Sequence, residues 1–226
     1  MKTAGLAATA AIAGALVAGG VQAQSVQLED RQAVIRFQGM TVLVDPSLDA
    51  APLPPVDLVL LPSCGAAQQA WLARQTLDRA VAVLAGGPCA TELRGMGVRH
   101  VHVLRLWETF ELHKGTAGLR LTAMPGIAQD SVVDAPGAML DFSEKGDKSY
   151  RIYVGGEATP EEIGALPQRF PGADLAIVRR AGTPVLGVPQ LARNGEHVLR
   201  TVASLPDDGY RFTPLARSSR PSLQTR

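Results

Sequence analysis

Two short runs constrain this chain more than any other feature: Val56, Asp57, Leu58, Val59, Leu60 and Leu61, then Ala80, Val81, Ala82, Val83, Leu84 and Ala85. Nearly continuous apolar runs of this length are strands covered on both faces, the pattern of a parallel sheet. The first stops at Pro62 and the second before Gly86, Gly87 and Pro88. The stretch between them, over 69–79 with Trp71, Leu72 and Leu77, reads as a helix, so the three together form a β-α-β unit.

Upstream, 32–37 and 40–44 are β-branched and apolar and are separated by Gln38 and Gly39, a hairpin signal closed by Asp45 and Pro46. Downstream, strands are expected over 101–104, 119–123, 138–142, 150–154 and 175–178. One helix is expected from Pro160, with Thr159 as N-cap and Glu161 and Glu162 in its first turn, and another from Pro189 to about Leu205. A strand-rich opening followed by β-α alternation predicts an α/β fold, a two-layered sheet core flanked by helices.

The N-terminus does not belong to that core. Lys2 supplies a positive start, residues 4–21 are almost wholly Ala, Gly, Leu, Ile and Val, and Val21, Gln22 and Ala23 end the run with small residues at the cleavage positions. These are the parts of a secretory signal peptide, so 1–23 is expected to be removed and the protein to be periplasmic or secreted. Residues 218–226 lack periodicity and read as a disordered tail, leaving a single domain over 24–217. With 46% hydrophobic and 19% charged residues the chain buries one core and carries no further span. A net charge of +1, carried by Lys2, gives no electrostatic reason to expect nucleic acid or an anionic membrane surface as the main partner. Two cysteines are too few for a disulfide scaffold.

Several landmarks in order carry a resemblance. Val42-Leu43-Val44-Asp45-Pro46, the run 56–61, the stretch 104–112 and Tyr153-Val154-Gly155-Gly156-Glu157 resemble the metallo-β-lactamase superfamily, in the lactonase-like branch typified by ascorbate-6-phosphate lactonase. The resemblance covers about 34–215 and implies an αββα sandwich with its site along one edge of the two sheets. It also implies a His-x-His-x-Asp-His loop after the strand at 56–61, whose side chains hold metal that activates water.

Here that loop departs from the pattern. Ser63, Gly65, Ala67 and Gln68 stand at its metal-ligand positions, and none is a competent zinc ligand. The next ligand position falls near 124–129 and the last near 213–216, both without histidine. Glu157, at the position of the bridging aspartate, alone keeps a carboxylate and is the one weak catalytic candidate. A single carboxylate lacks the three or four donors a catalytic zinc needs, so no cofactor is expected. The expected function is a non-catalytic binding or structural module, a pseudoenzyme with at most a small polar ligand in the former cleft. The alternative is a lactonase-like hydrolase that holds zinc or another divalent metal through atypical ligands such as Glu157, His100, His102 or Cys64.

The other residues read structurally. His100 and His102 flank Val101 on one strand face and are expected to be solvated, His113 sits in a turn, and His197 falls within the expected second helix. Asp45 is expected to organise a turn through hydrogen bonds to backbone amides, Trp107 to pack in the core or half-buried, Gly155 and Gly156 to end a strand, and Arg179 and Arg180 to be a solvated pair. Cys64 and Cys89 each follow a strand of the β-α-β unit. The family implies that these strands are neighbours, and the exported setting is oxidising, so a Cys64–Cys89 disulfide is expected, with inert thiols and a reactive Cys64 as the alternatives.

Overall fold

The computed structural model describes residues 24–29, 32–46, 55–62, 65–74, 81–85, 87–126, 137–144, 148–170, 172–191, 197–202, 204–212 and 215–216. The first half holds β1 (Ser25–Glu29), β2 (Gln32–Phe37), β3 (Met40–Val44), β4 (Leu58–Leu61), α1 (Ala66–Arg74), β5 (Ala82–Ala85), α2 (Gly87–Gly95) and β6 (Val101–His102). The second holds β7 (Thr109–Lys114), β8 (Ala117–Met124), β9 (Gly137–Glu144), β10 (Lys148–Glu157), α3 (Pro160–Gly164), α4 (Leu166–Arg169), β11 (Leu175–Arg180), β12 (Thr183–Leu191), β13 (His197–Val202), β14 (Tyr210–Arg211) and β15 (Leu215–Ala216).

One sheet runs β14-β1-β2-β3-β4-β5-β6 and the other β13-β12-β11-β10-β9-β8-β7, with β15 pairing β10. Strands β3 to β6 are parallel, with α1 joining β4 to β5 and α2 joining β5 to β6, and β10 and β11 form the parallel pair of the second sheet. The β2–β3 turn places Gln38 at φ 46° and Gly39 at φ 80°, the doubly left-handed geometry that matches strand twist.

Three apolar layers follow from the period-2 alternation. Ile35, Phe37, Val42 and Val44 of the first sheet meet Leu119, Leu140, Ile152 and Ile177 of the second. On the first sheet's other face, Val34, Leu43 and Val59 pack under Trp71 and Leu72 of α1 and Leu93 of α2. On the second sheet's other face, Tyr153, Ala176 and Val178 pack under Ile163 of α3 and Leu166 of α4. The order of layers is α-β-β-α. Thr159 caps α3 with a reciprocal capping box, its hydroxyl accepting from the Glu162 amide while the Glu162 carboxylate accepts from its own.

One expected element is wrong. The helix from Pro189 to about Leu205 is instead the end of β12 and the whole of β13, an antiparallel pair in which Pro189 lies opposite Leu199. Leu186 and Val188 face the inter-sheet core, and Gly187 leaves the space that Ile163 fills, since a Cβ there would come within 2.9 Å of it. Pro189 is tolerated because β12 has by then run past the end of its pairing with β11 at Gly187. His197 therefore opens a strand, where its carbonyl accepts from Gln168 Nε2 at 3.2 Å. Trp107 also departs from expectation: it is 62% exposed at φ 69°, in the turn that carries the chain from β6 to β7. The signal segment 1–23 and the tail 218–226 lie outside the described residues. Among the described residues no helix is long and apolar enough to cross a membrane.

Candidate functional site at the C-terminal ends of the parallel strands

Parallel strands deliver their C-terminal ends to one edge, and here β3 and β4 end beside β10 and β11 of the facing sheet. At that edge Asp45 takes φ 47°, and its amide donates to the Leu60 carbonyl at 3.0 Å, which bends the chain at the end of β3. The carboxylate then reaches the other sheet: Asp45 Oδ2 accepts from Arg179 Nη1 at 2.7 Å, with the two side chains 6% and 12% exposed. Arg179 is thus not solvated as its sequence context suggested. It continues the inward alternation of Leu175 and Ile177 and carries the charge that Asp45 neutralises. Arg180, the next residue, is exposed.

Glu157 lies opposite Arg179 in the β10–β11 register. Its Oε1 accepts the Gly182 amide at 2.8 Å, while Arg179 Nη2 donates to the Gly182 carbonyl at 3.0 Å. Glu157 and Arg179 together hold the β11–β12 turn, in which Ala181 and Gly182 both have positive φ. Gly155, before Glu157, has a packing reason, since a Cβ there would sit 2.7 Å from the Tyr153 ring, and a Cβ at Gly137 on β9 would sit 2.2 Å from the Tyr153 hydroxyl. That ring stacks on Phe170 at 4.9 Å, and its hydroxyl donates to the Pro125 carbonyl at 3.2 Å. Burial pushes the Tyr153 hydroxyl well above the ordinary tyrosine range, against a smaller opposing pull from Arg169.

Beside this network opens a cleft of about 30 Å³, walled by Leu60, Leu61, Pro62, Leu84, Ala85 and Leu121 among others. The volume admits one water-sized group, and the side chains named are apolar. Of the metal-loop positions, Gly65 is exposed, and Gln68 is 6% exposed with its Oε1 turned back to within 3.1 Å of where a Gly65 Cβ would stand. Ala67 lies within α1, and Ser63 and Cys64 are outside the described residues. Cys89 is disulfide-bonded, 6% exposed in the first turn of α2.

A divalent metal does not fit the described donors. The carboxylates of Asp45 and Glu157 are already engaged, and the Arg179 guanidinium beside them repels a cation. Among the described residues no three His, Cys, Asp or Glu side chains converge. His100 and His102 are exposed, with the His102 ring 5.1 Å from that of Phe110, and His113 is exposed near the β7–β8 turn. The residue that sequence reasoning missed is Arg179, and the signal was available: an arginine in the inward register of β11 requires a buried counter-charge.

No family model and no curated protein matches the chain. Solved structures similar to it include a possible metal-dependent hydrolase from Veillonella parvula DSM 2008, at 12% identity and TM-score 0.47 over 71% of this chain and 86% of that one. A B3 metallo-β-lactamase with an active-site glutamic acid matches at 18% identity and TM-score 0.44 over 66% and 71%. A diiron β-hydroxylase from Streptomyces venezuelae matches at 18% identity and TM-score 0.40 over 58% of this chain, which spans 29% of that protein's length. By its own two sheets and the helices outside each, the chain is an αββα sandwich.

Proposed function

We propose that this is an exported, non-catalytic protein, a binding or structural module that keeps a hydrolase sandwich without its metal chemistry. The observation that carries the reading is the Asp45–Arg179 pair: a buried guanidinium occupies the strand-end region where a metallo-hydrolase concentrates its cation. Ion pairing there ties the two sheets together, a job that bound metal otherwise performs. A small polar ligand would meet Arg179, which with Asp45 lines a neighbouring recess, rather than the apolar side chains of the cleft. Elemental analysis of the purified protein tests the reading: less than a tenth of an equivalent of zinc, iron or manganese is expected, and one equivalent would overturn it.

In the same reading Cys89 pairs with Cys64, the second of the chain's 2 cysteines, closing the loop that ligand side chains would otherwise pin. On the chain-entropy model such a closure stabilises by roughly 3 to 4 kcal/mol. Titration of the denatured, unreduced protein should find no free thiol. Two thiols would refute the pairing.

A further inference from the structure

The whole-chain charge of +1 conceals a strong local segregation. From Arg94 to Trp107 the sequence contains three arginines and two histidines and no acidic residue. The same fourteen-residue stretch, counted from those two end points, holds Met96, Val103, Leu106 and Trp107, which are 43%, 40%, 48% and 62% exposed. Of the large hydrophobic side chains exposed among the described residues, only Leu191 lies elsewhere.

The fold gathers this stretch on one side of the sandwich. It leaves the end of α2, forms the edge strand β6 of the first sheet and crosses to the second sheet beside its edge strand β7. Every residue in it except Val98, Val101 and Leu104 is exposed. Arg94 Nη2 donates to the Val101 carbonyl at 2.9 Å and holds the helix end against β6. At the other end a tight turn is pinned four times: Trp107 N to Ala123 O at 2.8 Å, Ala123 N to Glu108 O at 3.0 Å, Glu108 N to Arg105 O at 2.9 Å, and Arg105 N to Glu108 Oε2 at 2.9 Å. These bonds keep Trp107 at its positive φ with the indole in solvent. Positive φ is uncommon for a non-glycine residue, and here it leaves the indole facing outward. Among the described residues, neither Arg99 nor Arg105 has an ion-pair partner.

We propose that this side of the molecule is a docking surface for an anionic lipid bilayer, with Leu106 and Trp107 entering the headgroup layer and Arg99 and Arg105 meeting lipid phosphates. Indole and aliphatic side chains interleaved with arginines match the interface, where apolar groups sit at headgroup depth and cations find anionic lipid. A nucleic acid would use the arginines and the one indole and would leave Met96, Val103 and Leu106 without apolar partners. The inference is independent of whether the strand-end cleft holds metal.

The test is sedimentation of the purified protein with vesicles of phosphatidylcholine, with and without phosphatidylglycerol. All variants carry the same N-terminus, so any contribution from residues 1–23 cancels. Binding is expected only to the anionic vesicles and is weakened by salt. The Arg99→Gln/Arg105→Gln variant should bind about 25-fold more weakly, about fivefold per charge, and Leu106→Ser/Trp107→Ser should also lose binding. Arg180→Gln/Arg200→Gln, with the same change in net charge elsewhere, should bind as the parent does. Fluorescence supplies a readout on the unmodified chain: Trp71 is 4% exposed and Trp107 62%, so anionic vesicles should shift Trp107 emission to the blue and shield it from iodide. Equal binding to neutral vesicles, equal loss in the control variant or unchanged emission would overturn the proposal. So would retention of an oligonucleotide that depends on Arg99 and Arg105 without vesicle binding.

Discussion

The two ends of the sandwich solve the same problem, joining two sheets, with opposite chemistry. At the end where β3 and β10 begin, Phe37 and Phe142 lie 5.1 Å apart and Tyr150 and Phe212 stack at 4.5 Å, all four 7% exposed or less. At the end where β3 and β11 finish, Asp45 and Arg179 join the sheets beside a small cleft. Aromatic burial is non-directional and tolerates small displacements. A buried ion pair is directional, and either partner becomes a liability once the other is removed. The aromatic end is therefore a core, and the ionic end is a specified geometry.

That contrast makes predictions that differ in kind. Phe142→Ala should cost about 3–5 kcal/mol through the cavity it leaves, and Arg179→Met should cost about as much, 3–5 kcal/mol, by removing the cation that the Asp45 carboxylate pairs with. Urea unfolding measures both. The ends separate on repair: adding Asp45→Leu to Arg179→Met should recover most of the loss. If the double variant is no more stable than Arg179→Met, the charge pair is not what joins that end. Next in size, Gly155→Ala should cost about 1–3 kcal/mol, because its Cβ would meet a Tyr153 ring that Phe170 holds in place.

Tyr153 gives the pH dependence. Its folded-state pKa is raised by burial, so below about pH 10 both states keep the proton and it contributes no slope. Above about pH 10 the unfolded chain releases the proton first, and stability should fall by up to about 1.4 kcal/mol per pH unit. Tyr153→Phe should flatten that limb in alkaline thermal melts, and an unchanged limb would assign it to another group. Smallest of the set, Thr159→Ala should cost about 1 kcal/mol through loss of the α3 cap, with no effect on either end of the sandwich.

How much of this was legible beforehand varies by element. The strands expected over 32–37 and 40–44 coincide with β2 and β3, because alternation, β-branching and the Gln38–Gly39 turn agree with one another. The stretch 189–205 misled because Pro189 resembles a helix start, and local spacing does not record that β13 folds back to pair with the end of β12. Trp107 was expected to pack because 104–112 alternates, but the alternation begins only at Thr109, and the tryptophan falls in the crossing turn before it. At the candidate site the missing histidines were plain in the sequence. Which carboxylate pairs with Arg179 was not, since Arg179 and Asp45 are 134 residues apart.

The sequence by itself determined the β2–β3 hairpin, the α3 cap, the covered character of β4 and β5, and the absence of histidine from the ligand positions, because each is written in neighbouring residues. Only the tertiary structure decided that Arg179 is buried against Asp45 and that Glu157 holds a turn. It also decided that the acid-free stretch from Arg94 to Trp107 forms one exposed side. Those properties depend on which strand ends and edges meet in space, a matter of sheet order and register that no local window contains.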